Sequence, residues 1–335
     1  MKKSLSLFLL LLFAFGAYAQ MINDSIVQVC AYWGLGDSAV YQCYTYNESL
    51  NETGKVKVKK NLSEKRIFQV IDMTDSTYVL KVSYDDVVDS TGLFDAAGSM
   101  AIQQIAESMS IDLLTDEWGK PLAYYNLDEL VKANEKLIPS VMENILKPLD
   151  KKERRVITKW LKPLAKQMLT SPESIKQACN DDVMPLLELH GNAFVLRQPK
   201  EREVTMSHLL GAEIPCTEVY YVDTVMYEGE TFVMMKETID ADTEALTPLL
   251  KQIVMRMMQS QISDATSLVT FMQNFEEVCQ SHNMQASLKM ESTTFIHLSS
   301  GWTYSWDYHR SFYMKLGDSM VQDREQKTIR LIELN

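Results

Sequence analysis

Residues 299–314 read SSGWTYSWDYHRSFYM, and aromatic side chains recur at every second position of this run. Trp302, Tyr304, Trp306 and Tyr308 share one set of alternate positions, whereas serine, aspartate and histidine fill most of the other set. Successive side chains of a β-strand point to opposite faces, so this period of two indicates a strand with one aromatic side. The run therefore predicts a long strand in an antiparallel sheet.

An aromatic face of this kind allows two interpretations. It can form a core that covering helices fill, or it can line a pocket in which Trp N–H and Tyr O–H groups orient an apolar or amphiphilic ligand. In the second case we expect the ligand-binding residues to be the four aromatics of this strand, Trp302, Tyr304, Trp306 and Tyr308.

Alternation of apolar and polar residues returns at 67–88 and 218–239, and each stretch is interrupted by a turn signal. Between them, 127–190 has helical patterning in which Pro139, Pro163 and Pro185 should kink or break the helices, and a long Met-rich stretch over 248–281 is also helical in pattern. We predict an α+β fold in which curved antiparallel sheets come from two similar halves, with covering helices and a helical insertion. The predicted units are 20–126, the insertion 127–190, and 191–335.

Residues 1–19 have the pattern of a secretory signal peptide, with two lysines, an apolar run and a small-x-small cleavage site. No cysteine follows the expected cut, so we expect an exported protein of the periplasm or the extracellular space that is not a lipoprotein. Asp and Glu number 45 against 33 Lys and Arg. This balance argues against nucleic acid as a partner, because binding to phosphates needs basic surface.

The stretch VQVCAYWGLGDSAVYQCY resembles a β-hairpin that turns at Gly36-Asp37. In that register Cys30 lies directly opposite Cys43, at a spacing that a disulfide can bridge. We therefore predict a Cys30–Cys43 disulfide in an oxidising compartment. Cys179, Cys216 and Cys279 then include at least one unpaired thiol.

A basic amphipathic helix over 150–168 stands out in an otherwise acidic chain. Its apolar residues form one stripe, and its cations recur at helical spacing on the other side. Such a face suits an anionic membrane surface or an acidic protein partner, which gives a second candidate role as an interaction module. The predicted contact residues are Lys151, Arg155, Lys159, Lys162 and Lys166.

Catalytic motifs are weak in this sequence. Ser305, Asp307 and His309 share a strand face, but a spacing of about 6.6 Å is too long for a nucleophile–base hydrogen bond. His297, Asp307 and His309 form a weak metal or acid/base candidate. We expect no cofactor, and a hydrolase with scattered catalytic residues remains a third alternative.

The order of long strands, a helix and a late hairpin with a Gly-aromatic turn, seen in DEWGKPLAYYN and SSGWTYSWDYH, looks like that of uncharacterised secreted bacterial proteins. It is similar in outline to the lipoprotein-carrier half-barrels. This resemblance implies a sheet and helices that enclose an apolar cavity, and it assigns no residue a role. The preferred prediction is therefore a non-catalytic protein that binds an apolar or amphiphilic small molecule, such as a lipid.

Overall fold

The structure is a computed structural model. It describes residues 21–50, 53–91, 103, 109–146, 150, 154, 158, 162, 166, 169–207, 213–244, 246–251, 270–271, 273–277, 284–316 and 319–335. The predicted signal peptide 1–19 lies outside these residues, as does most of the predicted Met-rich helix.

Antiparallel strands dominate the described part of the chain. Their bounds are β1 Met21–Asn23, β2 Ile26–Gln28, β3 Ser38–Leu50, β4 Val56–Met73, β5 Thr77–Asp89, β6 Ser110–Asp116, β7 Pro121–Tyr124, β8 Ala193–Val195, β9 Lys200–Ser207, β10 Glu213–Tyr227, β11 Glu230–Ala241, β12 Gln285–His297, β13 Thr303–Leu316 and β14 Ser319–Leu334. Eleven of them form one open sheet in the order β7-β6-β5-β4-β3-β14-β13-β12-β11-β10-β9, and β1-β2-β8 form a small second sheet. The antiparallel architecture predicted from the alternation is confirmed.

The large sheet consists of two runs of sequentially paired strands, β3–β7 and β9–β14. They are joined where β14 pairs with β3, over a register from Gln322↔Leu50 to Leu334↔Ala39. Strands β7 and β9 are the two edges. The hairpins predicted within 67–88 and 218–239 are confirmed as β4–β5 and β10–β11. The internal duplication and the predicted unit boundaries stay predictions.

After β7 the structure describes the full length of α1 at Leu127–Leu146 and of α2 at Pro172–Leu187, and helical residues also lie between them, within 154–170. Ser171 caps α2, because its Oγ accepts a hydrogen bond from the Ser174 N–H at 3.1 Å. Helical residues also occur within 243–251 and 270–277. No helix in the described ranges is both long and apolar enough to cross a membrane.

Helix α2 packs on one face of the large sheet, called here the helix-covered face; the opposite face is called the outer face. Val183 and Leu186 of α2 belong to one buried cluster with Phe68, Leu80 and Leu113 of the strands. Alternate residues of each strand enter this cluster, as expected for strands that bury one face. Burial of these apolar side chains holds α2 against β3–β6 and β13.

The predicted hairpin around Gly36 is wrong. Strand β2 ends at Gln28 and belongs to the small sheet, whereas β3 pairs with β4 and β14. The segment between β2 and β3 instead contacts two turns of the large sheet. The Ala31 N–H donates a hydrogen bond to the Trp118 carbonyl at 2.9 Å, and the Tyr32 N–H donates one to the Ser300 carbonyl at 3.3 Å. A Cβ on Gly301 would collide with the carbonyl of Cys30.

The predicted Cys30–Cys43 disulfide is wrong as well. Cys43 lies within β3, whereas Cys30 follows β2 in the segment that is pinned between those turns. The two buried thiols are not joined. Cys179 and Cys216 are also buried, and no disulfide links either of them to another described cysteine. Cys279 lies outside the described residues.

Candidate functional site

The four aromatic residues predicted to line one face fall into three different environments. Trp302 precedes β13 and is 2% exposed. Its ring stacks on that of Trp33 with centroids 4.4 Å apart. The ring of His190 packs against the Trp33 ring. Trp302 is therefore part of the filled core.

Tyr304 lies on the outer face because β13 contains a β-bulge. Ile296 pairs with Thr303 and Phe295 pairs with Ser305, so Tyr304 is the extra residue between them. Its ring packs against Phe232 at a centroid distance of 5.1 Å, on the side opposite to α2. The prediction that Tyr304 shares a face with its aromatic neighbours is wrong.

Trp306 and Tyr308 do lie together on the helix-covered face. Their rings stack with centroids 5.2 Å apart and an interplanar angle of 9°. Trp306 is 6% exposed, whereas Tyr308 is half-buried, and this burial raises the pKa of Tyr308 to about 12. The phenol is therefore a neutral hydrogen-bonding group at physiological pH.

A cavity of about 380 Å³ separates this aromatic pair from α2. We call it the α2 cavity. Met184, Pro185, Trp306 and Tyr308 give it apolar walls, and the polar lining comes from Gln177, Asn180, Asp181, Glu188, Glu237, Ser292 and Lys327. A neighbouring cavity of about 210 Å³ toward β3 and β4 shares Asp181, Trp306 and Lys327 with it.

The sheet wall of the α2 cavity is a row of residues that lie side by side on four adjacent strands. Glu237 of β11 pairs in register with Ser292 of β12, Ser292 with Tyr308 of β13, and Tyr308 with Lys327 of β14. At about 4.8 Å between strands, the row spans about 14 Å. It places an acidic group at the β11 end, a basic group at the β14 end, and an aromatic ring between them.

Helix α2 is fixed over the sheet by polar contacts at both cavities. The Tyr124 hydroxyl donates to Oδ1 of Asn180 at 2.7 Å, and that of Tyr84 donates to Oδ2 of Asp182 at 2.6 Å. Arg66 forms ion pairs with Glu64 at 2.6 Å and with Asp182 at 2.9 Å. These contacts hold the roof of the α2 cavity, so the cavity is part of the folded structure.

Two carboxyl groups with raised pKa values line the β11 end of the cavity. Glu188 caps the C-terminus of α2, and loss of hydration, with the nearby charges of Glu237 and Glu218, raises its pKa to about 7. Its side chain lines the cavity, where neighbouring protein atoms remove part of its hydration although it stays exposed to solvent. Burial and the charge of Glu218 also raise the pKa of Glu237, whose carboxylate accepts a hydrogen bond from Ser292 at 3.1 Å. Sequence inspection missed both residues, because they come together only through the sheet register.

The His297, Asp307 and His309 candidate site is not assembled. Asp307 forms a bidentate ion pair with Arg330 at 2.6 and 2.8 Å. His309 pairs in register with Glu291, six residues along β12 from His297, which is about 20 Å. These side chains therefore act separately in the described structure.

Of the predicted basic contact residues, Lys162 and Lys166 are described, and both are helical and exposed. Lys151, Arg155 and Lys159 lie outside the described residues. A docking role for this helix stays a prediction.

No protein family matches the chain, and no curated protein matches it either. Among solved structures, the chain is similar to a lipovitellin reported for its lipid–protein interactions, with a TM-score of 0.37 and 11% identity over 90% of this chain. The chain spans 26% of that lipovitellin chain. It also matches a loop L8 deletion mutant of OmpT, an outer membrane protein of Vibrio cholerae, with a TM-score of 0.21 and 5% identity over 88% of this chain and 100% of that one. The fold itself defines the class, a mostly antiparallel β protein with an open sheet of eleven strands and few helices.

Proposed function

We propose that the protein binds a small amphiphilic molecule in the α2 cavity. The observation that carries this proposal is the stacked Trp306–Tyr308 pair, which lines the cavity beneath α2, with Trp306 buried and Tyr308 half-buried. The cavity volume of about 380 Å³ is within the range of about 300–1,000 Å³ that is usual for small-molecule sites.

The lining of the cavity favours an amphiphile over a purely apolar guest. Met184, Pro185 and the aromatic pair can bury an apolar group, with a gain of about 25 cal/mol per Å² removed from water. Ser292 and the acidic and basic ends of the row offer hydrogen bonds and charge to a polar group. Apolar burial would thus supply affinity, and the polar ends would fix the orientation of the ligand.

We also propose that this binding takes place outside the cytoplasm, in the periplasm or the extracellular space. The signal-peptide pattern of residues 1–19 supports the proposal. Mass spectrometry of the protein from the culture medium and from a periplasmic extract, with a mature N-terminus at Gln20, would test it.

The binding proposal can be tested with N-phenyl-1-naphthylamine, a neutral apolar dye that fluoresces when it leaves water. We expect saturable binding to the wild-type protein and a loss of affinity of about tenfold in Tyr308→Ala, because about 1.4 kcal/mol of contact energy corresponds to that factor. Ser292→Phe should also weaken binding, since the new ring would fill the cavity.

Tyr304→Ala is the matched control, because it removes the same side chain from the outer face of the same strand. Its dye affinity should equal that of the wild type. Absence of saturable binding, or an equal loss in Tyr304→Ala and Tyr308→Ala, would contradict the proposal. Urea midpoints of all variants establish that each one is folded.

A further inference from the structure

Three glutamates converge at the β11 end of the α2 cavity. Glu188 ends α2, Glu237 lies on β11 and Glu218 on β10, and the last two share the helix-covered face. The charges of Glu218 and Glu237 both act on Glu188. The three carboxyl groups therefore form one electrostatic unit, with Glu188 and Glu237 in the cavity wall and Glu218 behind them.

Glu218 is buried and only partly satisfied. Its side chain is 4% exposed, and Oε2 accepts a hydrogen bond from Arg202 at 2.8 Å. Oε1 is buried and accepts no hydrogen bond from a donor group of the described residues. Burial and the nearby charge of Glu218 raise the pKa of Glu237.

Among the described residues, Arg202 is the cation that forms an ion pair with one of these three glutamates, Glu218. The Arg202 side chain is 62% exposed. The backbone of Lys327, the basic residue of the sheet wall, lies about 14 Å from that of Glu237 at the other end of the cross-strand row. Its ammonium group lies 5.7 Å from the centroid of the Tyr308 ring and 3.7 Å from the Glu325 carboxylate. The β11 end of the cavity therefore carries more negative charge than the described residues neutralise, in a place where water is partly excluded.

The arrangement suits an organic cation better than a metal ion. In the described ranges, no three His, Cys, Asp or Glu side chains are placed to hold a metal. An ammonium group needs no tight shell of ligands, since it can contact carboxylates and aromatic faces at longer range. Ser292 and Tyr308, which separate Glu237 from Lys327 in the row, continue the cavity away from the acids.

We infer that the α2 cavity takes a ligand whose ammonium group lies beside Glu188 and Glu237 and whose apolar part packs on Trp306 and Tyr308. This inference rests on the proposed function, and it adds the charge and the orientation of the ligand. The chemical class is a long-chain or aromatic amine.

Calorimetric titration with decylamine, decanol and decanoate at pH 8 tests the inference, because these probes share one chain and differ in head group. We expect decylamine to bind at least about tenfold more tightly than the other two. The double variant Glu188→Gln/Glu237→Gln should lose about tenfold in decylamine affinity and keep its decanol affinity, since its apolar wall is unchanged.

Glu201→Gln is the control for the loss of charge, because Glu201 is exposed on β9 and points away from Arg202, on the outer face. Its affinity for decylamine should equal that of the wild type. Decanol or decanoate binding as tightly as decylamine would overturn the inference and leave the proposed function standing, as would decylamine binding that ignores the double substitution. Failure of all three probes to bind would overturn the proposed function together with the inference.

Discussion

The guanidinium of Arg66 on β4 contacts Asp182 on α2 twice, through an ion pair of 2.9 Å and a hydrogen bond of 2.8 Å to the Asp182 carbonyl. Both side chains of the ion pair are shielded from water, with 9% and 30% exposure. The contact therefore ties α2, the roof of the α2 cavity, to strand β4 through charges that bulk water screens only in part.

Asp182→Ala should destabilise the protein by about 3 kcal/mol, because it removes one of the two ion-pair partners of the buried Arg66, leaving Glu64, and also the acceptor of the Tyr84 hydroxyl. Urea unfolding followed by tryptophan fluorescence measures this change. Glu291→Ala removes one partner of an exposed ion pair to Lys289 and should leave the urea midpoint unchanged. Equal midpoints for Asp182→Ala and the wild type would show that the buried pair contributes nothing.

Stability should fall as the pH falls through the range in which unfolded histidine titrates. His190 is fully buried, and burial lowers its pKa from 6.5 to about 4. Between these values the unfolded chain binds the extra proton and the folded chain does not, so stability is lost from about pH 6.5 downward and levels off below about pH 4. The difference corresponds to about 3 kcal/mol.

Urea unfolding of wild type and His190→Gln between pH 7.5 and pH 4.5 isolates this contribution, since other titrating groups are common to both proteins. The glutamine amide can donate the hydrogen bond that His190 Nε2 makes with the Gly301 carbonyl at 2.7 Å. The wild type should lose more stability than the variant as the pH falls. Parallel pH profiles would contradict the assignment to His190.

Glu188→Gln should stabilise the protein at pH 8 and have no effect near pH 4. The folded-state pKa of Glu188 is raised to about 7, so the charged form is disfavoured in the folded protein and stability is lost as the pH rises through that value. Glutamine keeps the neutral shape at every pH. Thermal unfolding at both pH values checks this, with Glu201→Gln expected to show no such difference.

Gly301→Ala should cost clearly more stability than Gly229→Ala. Both glycines have positive φ angles, 75° and 87°, so each substitution carries a backbone penalty of about 1–2 kcal/mol. Only at Gly301 would the new Cβ also meet the backbone of Cys30 and Ala31, because Gly229 faces open space. Equal thermal midpoints would show that the segment after β2 is not held against this turn.

Period-two alternation predicted the strands well, because it reflects the geometry of the strand itself. Strand β13 and the β4–β5 and β10–β11 hairpins lie where the pattern places them. The pattern did not predict which face each side chain occupies. One bulge at Tyr304 moves that residue to the other face, and the sequence of alternating aromatic residues does not reveal it. Thr303 and Ser305, two small residues in the polar set, are buried beside this bulge.

The first-strand hairpin was mispredicted for a related reason. Gly36-Asp37 is a good turn signal, but the segment before it packs Trp33 on Trp302 and does not pair with β3. The acidic end of the α2 cavity was invisible to sequence reasoning, since Glu188, Glu218 and Glu237 come from three elements whose register a single sequence does not reveal.

The pairing of β14 with β3 has a consequence for synthesis on the ribosome. Ser38 and Asn335 exchange two backbone hydrogen bonds of 2.8 and 2.9 Å. The junction of β14 and β3, called here the seam, therefore joins residues nearly three hundred positions apart in the sequence. Until β14 pairs with it, β3 presents an unpaired edge that other chains could join. Closing such a distant contact is slow, so nascent chains must be kept from aggregating until the seam forms.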